Sequence, residues 1–397
     1  MTTALDHDLH LYIPDLGRFR STKDLESSSL YQELKPRIEA LLNSYELHNV
    51  IDHPALKPFY RAVAWNVERG IHLEGINHIL RTHPILKEAD VLLVTETDIG
   101  MARSGNRNVA REMADALGMN YFFAPSYLNL AKGCGVEHEF EGENSLGIHG
   151  NAILSRYPIE DPEIEVLKNA HDKMRGREKR LGSQRALIAS ICFPQKKVKA
   201  VCAHLDARST QSHRALQMRC ILDTLQKYRG GSTLIGGDWN TSTYDSSRAF
   251  WAIFGFWVRV AMGTGNMIRN HYPHPYRRFE KGLFNSIEKY DFDYKNANQT
   301  GEGTLHYSVE DMAQFKNLRE WIPHWCFRFV EWALRPHGGE CNFKLDWFAT
   351  RGLKVVRDQE IPSSPNGPSV SPRVMRHLRH QDKKVSDHDA IVLDFEL

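Results

Sequence analysis

Six short segments of this 397-residue chain set carboxylates, amides or histidines at the ends of apolar runs. In AVAWNVERG, Asn66 and Glu68 stand two residues apart, so on a strand both project from one face. In ADVLLVTETD the apolar run delivers Glu96. A carboxylate at the end of a buried strand is costly unless it meets a cation, and a hard, oxygen-seeking ion such as Mg²⁺ is one good partner. KAVCAHLDARS delivers His204 and, two residues on, Asp206. In TLIGGDWNTST two glycines permit a tight turn before Asp238 and Asn240, which then share a face. A carboxylate beside an amide suits a base that activates water next to a neutral donor for a phosphate oxygen. KLDWFAT places Asp346 inside an apolar strand, and VSDHDAIVLDFEL places Asp387 and His388 just before the last one. A carboxylate on a neighbouring strand fixes a histidine's tautomer and favours its charged form, so Asp346 and His388 read as a pair. Each piece alone is bland, since a lone buried Asp is ordinarily a satisfied structural residue. The signal is the ordered set, with each member where α/β folds put their sites.

These side chains need strands to hold them. Apolar, β-rich runs occur at Ala62–Val67, Val91–Thr95, Tyr121–Ala124, Ala152–Leu154, Ala186–Cys192, Val198–Ala203, Thr233–Ile235, Lys344–Ala349 and Ile391–Phe395. Helical spacing appears between some of them, at Ile76–Arg81, Asn108–Leu117 and Ser212–Tyr228, the last with Ser212 as N-cap and Gly230–Gly231 as its stop. Several strands follow one another with no room for a crossover helix, which predicts mixed sheets in an α/β or α+β layered fold. The chain divides into an N-terminal helical extension over 1–58, with a helix near Leu30–Glu46, and a catalytic domain over 59–397. Within that domain lie an aromatic-rich insertion at about 241–343, ending in a helical run near Ala313–Leu334, and a Pro/Ser/basic stretch at 361–384 that reads as a mobile loop.

A formal charge of +2 argues against holding nucleic acid by bulk electrostatics, though not against a local basic groove. The six cysteines have no CxxC spacing, and a reduced, cytoplasmic setting fits them better than a disulfide framework. The N-terminus has no signal-peptide pattern, and no run approaches the ~20 apolar residues of a transmembrane segment.

Taken in order, AWNVE, TET, GNAILS, AHLDA, GGDWN, LDWF and SDH resemble the endonuclease/exonuclease/phosphatase superfamily from about Arg61 to Leu397, with the long insertion unmatched. The resemblance implies a four-layer sandwich, two packed mixed β-sheets flanked by helices, and Mg²⁺- or Mn²⁺-dependent attack of water on a phosphoester. It implies that Glu96 is the main metal ligand, with Asn66 beside it and Glu68 and Asp387 as nearby carboxylates. Asp238 would orient and deprotonate water, Asn240 would contact the phosphate, and His204 and His388 would bind the scissile phosphate, His388 being oriented by Asp346. The family commonly has Asp where Glu68 stands and Gln where Thr95 stands, which weakens a subfamily assignment.

Substrate clues are thinner. The loop from Asp172 to Arg185 carries six basic residues and two acids, which reads either as a phosphate clamp built from Arg177, Arg180 and Arg185 or as a solvated loop. Asn151 reads as a site residue or a turn residue. HYPHPYRRF (271–279) mixes aromatic and basic residues as a base-stacking surface does, or is an ordered loop. The first expectation is a nucleic-acid phosphodiesterase. The second is a hydrolase of a small phosphorylated metabolite or lipid headgroup, and a third class is a catalytically silent binding module.

Overall fold

The apolar runs form strands, and their alternation sends successive side chains into different cores. In the computed structural model residues 5–50, 55–133, 135–245, 249–308, 332, 334–357 and 371–397 are described. The strands are β1 (Glu46–His48), β2 (Tyr60–Arg69), β3 (Val91–Ile99), β4 (Asn120–Asn129), β5 (Ile148–Ser155), β6 (Ile159–Leu167), β7 (Arg180–Gly182), β8 (Gln184–Cys192) and β9 (Lys197–Cys202). They continue with β10 (Ser232–Asp238), β11 (Leu305–Ser308), β12 (Glu340–Phe343), β13 (Asp346–Arg351), β14 (Lys354–Val356), β15 (Arg373–Met375), β16 (Arg379–His380), β17 (Lys383–Lys384) and β18 (Ala390–Glu396).

One sheet runs β1-β4-β5-β3-β2-β18-β14, with β7 added at β4 and β15 at β18; the other runs β13-β10-β9-β8-β6. Both are mixed: β2 and β3 are parallel, as are β9 and β10, while the remaining pairs in the two paths are antiparallel. Tyr60, Ala62, Ala64, Leu93 and Ile153 from the first sheet meet Leu187, Ala189, Ala200, Leu234 and Phe348 from the second in a dry layer between them. The outer face of the first sheet is covered by helices Ser29–Leu42, Leu73–Thr82 and Val109–Leu117, and that of the second by Gln211–Thr224 and Lys281–Lys289. The result is the expected α/β/β/α sandwich. Buried Arg61 clamps Asp394 with two hydrogen bonds of 2.8 and 2.9 Å and so ties β2 to β18. Among the described residues no helix is long and apolar enough to cross a membrane.

Several local expectations are corrected. The long helix starts at Gln211, and its cap is the Thr210 hydroxyl, which accepts the His213 N–H at 3.0 Å, rather than Ser212. The N-terminal helix contains Pro36 and buries Leu34, Ile38 and Leu41, and β1 after it joins the edge of the first sheet at β4. Of the stretch 361–384, residues 361–370 lie outside the described set; the remainder is not loose, because it forms β15–β17 and buries Val374 and Met375. In 271–279, Tyr272 is buried and the ring of Tyr276 packs edge-on against Phe284 and Trp347, so these rings face the interior. Most of the Ala313–Leu334 run lies outside the described residues. The described cysteines 192, 202, 220 and 341 are free thiols.

Candidate active site

The candidate residues converge where both sheets end on the same side. Asn66 lies in β2 and Glu96 in β3, where the pairing register of these strands shifts. The irregularity is built from left-handed backbone at Glu68 (φ 46°), Arg69 (φ 64°) and Glu96 (φ 56°), a conformation non-glycine residues rarely adopt and that clusters at functional sites. From the second sheet, β9 leads into His204 and β10 ends on Asp238. Gly237 (φ 131°) makes that approach possible, since a Cβ there would lie 2.3 Å from the Ala203 carbonyl oxygen.

Hydrogen bonds hold the group in register. Asn66 Nδ2 donates to Glu96 Oε1 and to Asp238 Oδ2, each at 3.1 Å, and so bridges the two sheets. Its Oδ1 accepts the Glu68 N–H at 3.0 Å, so Asn66 turns its amide donor, not its oxygen, toward the carboxylates. Asp238 Oδ1 accepts the Asn240 N–H at 2.8 Å, and Asn240 Nδ2 donates to the Leu205 carbonyl at 3.0 Å. His388 Nδ1 lies 2.8 Å from Asp346 Oδ2, and its Nε2 is 3.8 Å from Asp238 Oδ2. His204 Nε2 lies 3.6 Å from Asp238 and 3.8 Å from Glu96. Asn151 contributes through the backbone: its Oδ1 accepts the Glu96 N–H at 3.3 Å and its Nδ2 donates to the Arg185 carbonyl at 3.0 Å.

The electrostatics separate these groups by role. Burial opposes charge on His388, yet Asp346, Asp238 and Asp387 hold it protonated well above its ordinary range. Burial pulls His204 down to about 4, leaving a neutral imidazole. Burial, with Asp346 and Glu96 nearby, pushes Asp238 up to about 8 against the opposing pull of His388. Burial and the Asp387 carboxylate push Glu68 up to about 8. Glu96 is held well below the carboxylate range: Arg69, His204 and His149 outweigh its burial.

A divalent cation fits this donor set. Glu96, His204 and Asp238 each offer a ligand atom, and those atoms all lie within 4.8 Å of one another. Carboxylates crowded enough to retain protons are what a hard cation relieves. Asp387 lies beside this group, its backbone N–H donating to Glu68 Oε2 at 3.0 Å.

The basic loop does not converge in the same way. Arg180 lies 3.8 Å from Glu178, with its guanidinium 4.3 Å above the Tyr127 ring. Arg177 is exposed, and Arg185 points into a different cleft at the sheet edge.

Three contributors escape sequence reasoning. Arg69 reaches Glu96 at 3.7 Å and Glu137 at 3.3 Å, from a bulge that no sequence pattern marks. His149 is 2.8 Å from Asp98, and the two-residue strand spacing from Asn151 was its available signal. Thr304, inside the long insertion, accepts the Leu345 and Asp346 N–H groups on its hydroxyl at 3.0 and 3.1 Å, while its carbonyl accepts the Asp389 N–H at 2.7 Å. The insertion thus holds both ends of the Asp346–His388 pair in place.

Comparison with known proteins places these features in a wider group. The profile of the endonuclease/exonuclease/phosphatase family matches residues 63–388. An endonuclease/exonuclease/phosphatase from Beutenbergia cavernae is similar in structure, with a TM-score of 0.51 and 15% identity over 85% of this chain and 72% of that one. A family protein from Leptotrichia buccalis (TM-score 0.46, 14% identity, 85% and 100% covered) and the human Nocturnin catalytic domain (0.44, 14%, 87% and 97%) also align. No curated protein matches the sequence.

Proposed function

The chain belongs to the endonuclease/exonuclease/phosphatase family, a superfamily of metal-dependent phosphoesterases, and from that premise we propose that it hydrolyses a phosphoester with Asp238 as the base. The observation that carries this reading is the bridging of Glu96 and Asp238 by the Asn66 amide, with one neutral and one charged histidine beside them. A divalent ion such as Mg²⁺ or Mn²⁺, held by Glu96 with Glu68 and Asp387 nearby, would neutralise phosphate charge and lower the pKa of water. Asp238 presents Oδ2 to take the proton of the attacking water, its other oxygen being fixed by the Asn240 N–H. His388, kept charged and oriented by Asp346, donates from Nε2 to a non-bridging phosphate oxygen, where negative charge builds. His204 and the remaining N–H of the Asn240 amide complete the oxygen-binding face.

For substrate, a nucleic-acid phosphodiester is one reading, and its support lay in the basic loop. With Arg180 beside Glu178, Lys173 2.8 Å from Asp206 and Arg185 in another cleft, that support is reduced. A phosphoester on an apolar body, such as a lipid headgroup, is favoured by helix Ala249–Ala261. Trp251, Phe254, Trp257 and Val258 are exposed there, and Arg259 at the same helix bonds the Thr243 carbonyl, three residues beyond Asn240.

The test is a hydrolysis panel of DNA, RNA, phosphoinositides, sphingomyelin and simple phosphomonoesters in Mg²⁺ or Mn²⁺, with EDTA and Asp238→Asn as controls. Metal-dependent cleavage that Asp238→Asn lowers by orders of magnitude in a folded protein supports the reading. Undiminished turnover in the variant removes Asp238 as the base, and silence across the panel favours a binding module.

A further inference from the structure

Arg185 is 4% exposed, yet its guanidinium has no hydrogen-bond or ion-pair partner among the described residues, and its Nε is buried without an acceptor. It lines an open cleft of about 250 Å³ with Asn43, Tyr45, Pro162, Ile164 and Val166. The cleft lies at the outer edge of the sandwich, where β6 ends one sheet and the segment leading into β1 borders the other. None of the residues placed at the active site lines it.

Strand alternation explains why no carboxylate answers this arginine. On β6, Pro162, Ile164 and Val166 face the cleft, whereas Glu163 and Glu165 face the other way. Glu163 Oε2 accepts the Tyr228 hydroxyl at 2.9 Å, and Glu165 accepts that of Thr224 at 2.6 Å. Val166 pairs with Arg185 in register, so the residue directly opposite the guanidinium's strand position is aliphatic. A buried cation without a counter-charge is costly, and an arginine retains its charge regardless. Such a site is stabilised by an anion supplied from outside. The volume is below the roughly 300–1,000 Å³ of pockets for drug-sized ligands, which selects a small one.

We propose that this cleft is a second, non-catalytic site for a small organic anion, a carboxylate or phosphate group meeting Arg185 while a short apolar body rests on Pro162, Ile164 and Val166. Binding here is independent of turnover and is read without it.

The experiment is thermal unfolding of the full chain in EDTA, titrated with benzoate, with phenylphosphonate, and with neutral benzamide as control. The expected result is a saturable rise in Tm with one or both anions and none with benzamide; which anion acts identifies the head group. Arg185→Met abolishes the rise. Val166→Glu, at a position 51% exposed and opposite Arg185, supplies the counter-charge from within, so it raises Tm on its own and also abolishes the response. No anion-dependent rise in the wild type, or a rise undiminished in Val166→Glu, overturns the proposal, and the second criterion stands even if Arg185→Met fails to fold.

Discussion

Asp346→Asn isolates the charge on the Asp346–His388 pair while leaving the shape intact. At 2.8 Å, two unit charges in an effective dielectric of about 20 attract by roughly 6 kcal/mol. Asparagine retains a neutral hydrogen bond of about 1 kcal/mol. Losing one partner of a buried charge pair costs about 2–5 kcal/mol, which is roughly 30- to 5,000-fold in turnover if the charged imidazole acts in the transition state. The pH profile adds a sign. In the wild type the carboxylates hold His388 charged well above its ordinary range. Without Asp346 the opposing pull of burial gains, the pKa falls, and the charged form is lost as pH rises through the lowered value. The deficit is therefore larger near pH 8 than near pH 6 in steady-state assays on the best substrate of the panel. A folded variant with near-normal turnover, or a deficit constant across that range, refutes the argument that His388 works as a cation.

Glu96→Gln shifts the Mg²⁺ dependence of turnover upward by more than the roughly 10- to 100-fold that losing an outer-shell partner costs; an unchanged titration removes Glu96 as a ligand. Arg103 is wholly buried and holds Asp98, Glu137 and Glu178, so Arg103→Met removes the cation these three acids share, leaving them only His149, Arg69 and Arg180, and costs about 3–5 kcal/mol in urea unfolding. A loss below about 1 kcal/mol contradicts that account. His7 accepts the Leu9 N–H on Nδ1 at 3.1 Å, and burial followed by repulsion from His10 brings it down to about 4. Its folded value is below its unfolded one, so the unfolded chain takes up the proton first and stability falls between about pH 6.5 and 4. His7→Gln flattens thermal stability across that window, and an unaltered slope rules out this cause.

The strands under the site were legible because they are buried on both faces and read as continuous apolar runs, as in β2, β3 and β10. β6 was not, because IEDPEIEVL is an acid-rich edge strand whose outward residues bond the helix Gln211–Thr224 and the turn after it. The pairing of Asp346 with His388 was anticipated from strand position, and the two groups lie in contact. The clamp from Arg177, Arg180 and Arg185 rests on charge in one loop, and charge count does not reveal that Arg180 lies 3.8 Å from Glu178 and over the Tyr127 ring. Thr304 was invisible for a different reason. Its role is to accept backbone N–H groups at 345 and 346, a contact across some forty residues that leaves no local pattern.

The strand order sets a condition on biosynthesis. Ile391 in β18 lies opposite Ala64 in β2, and His388 immediately precedes that strand. A nascent chain that has already folded around Asn66, Glu96 and Asp238 still lacks its charged histidine, and the edge of β2 that β18 will cover stays open. Closing so distant a pairing is intrinsically slow. The Asp346–His388 pair is therefore completed in a late step, when the segment carrying His388 zips onto the oldest strand at the site.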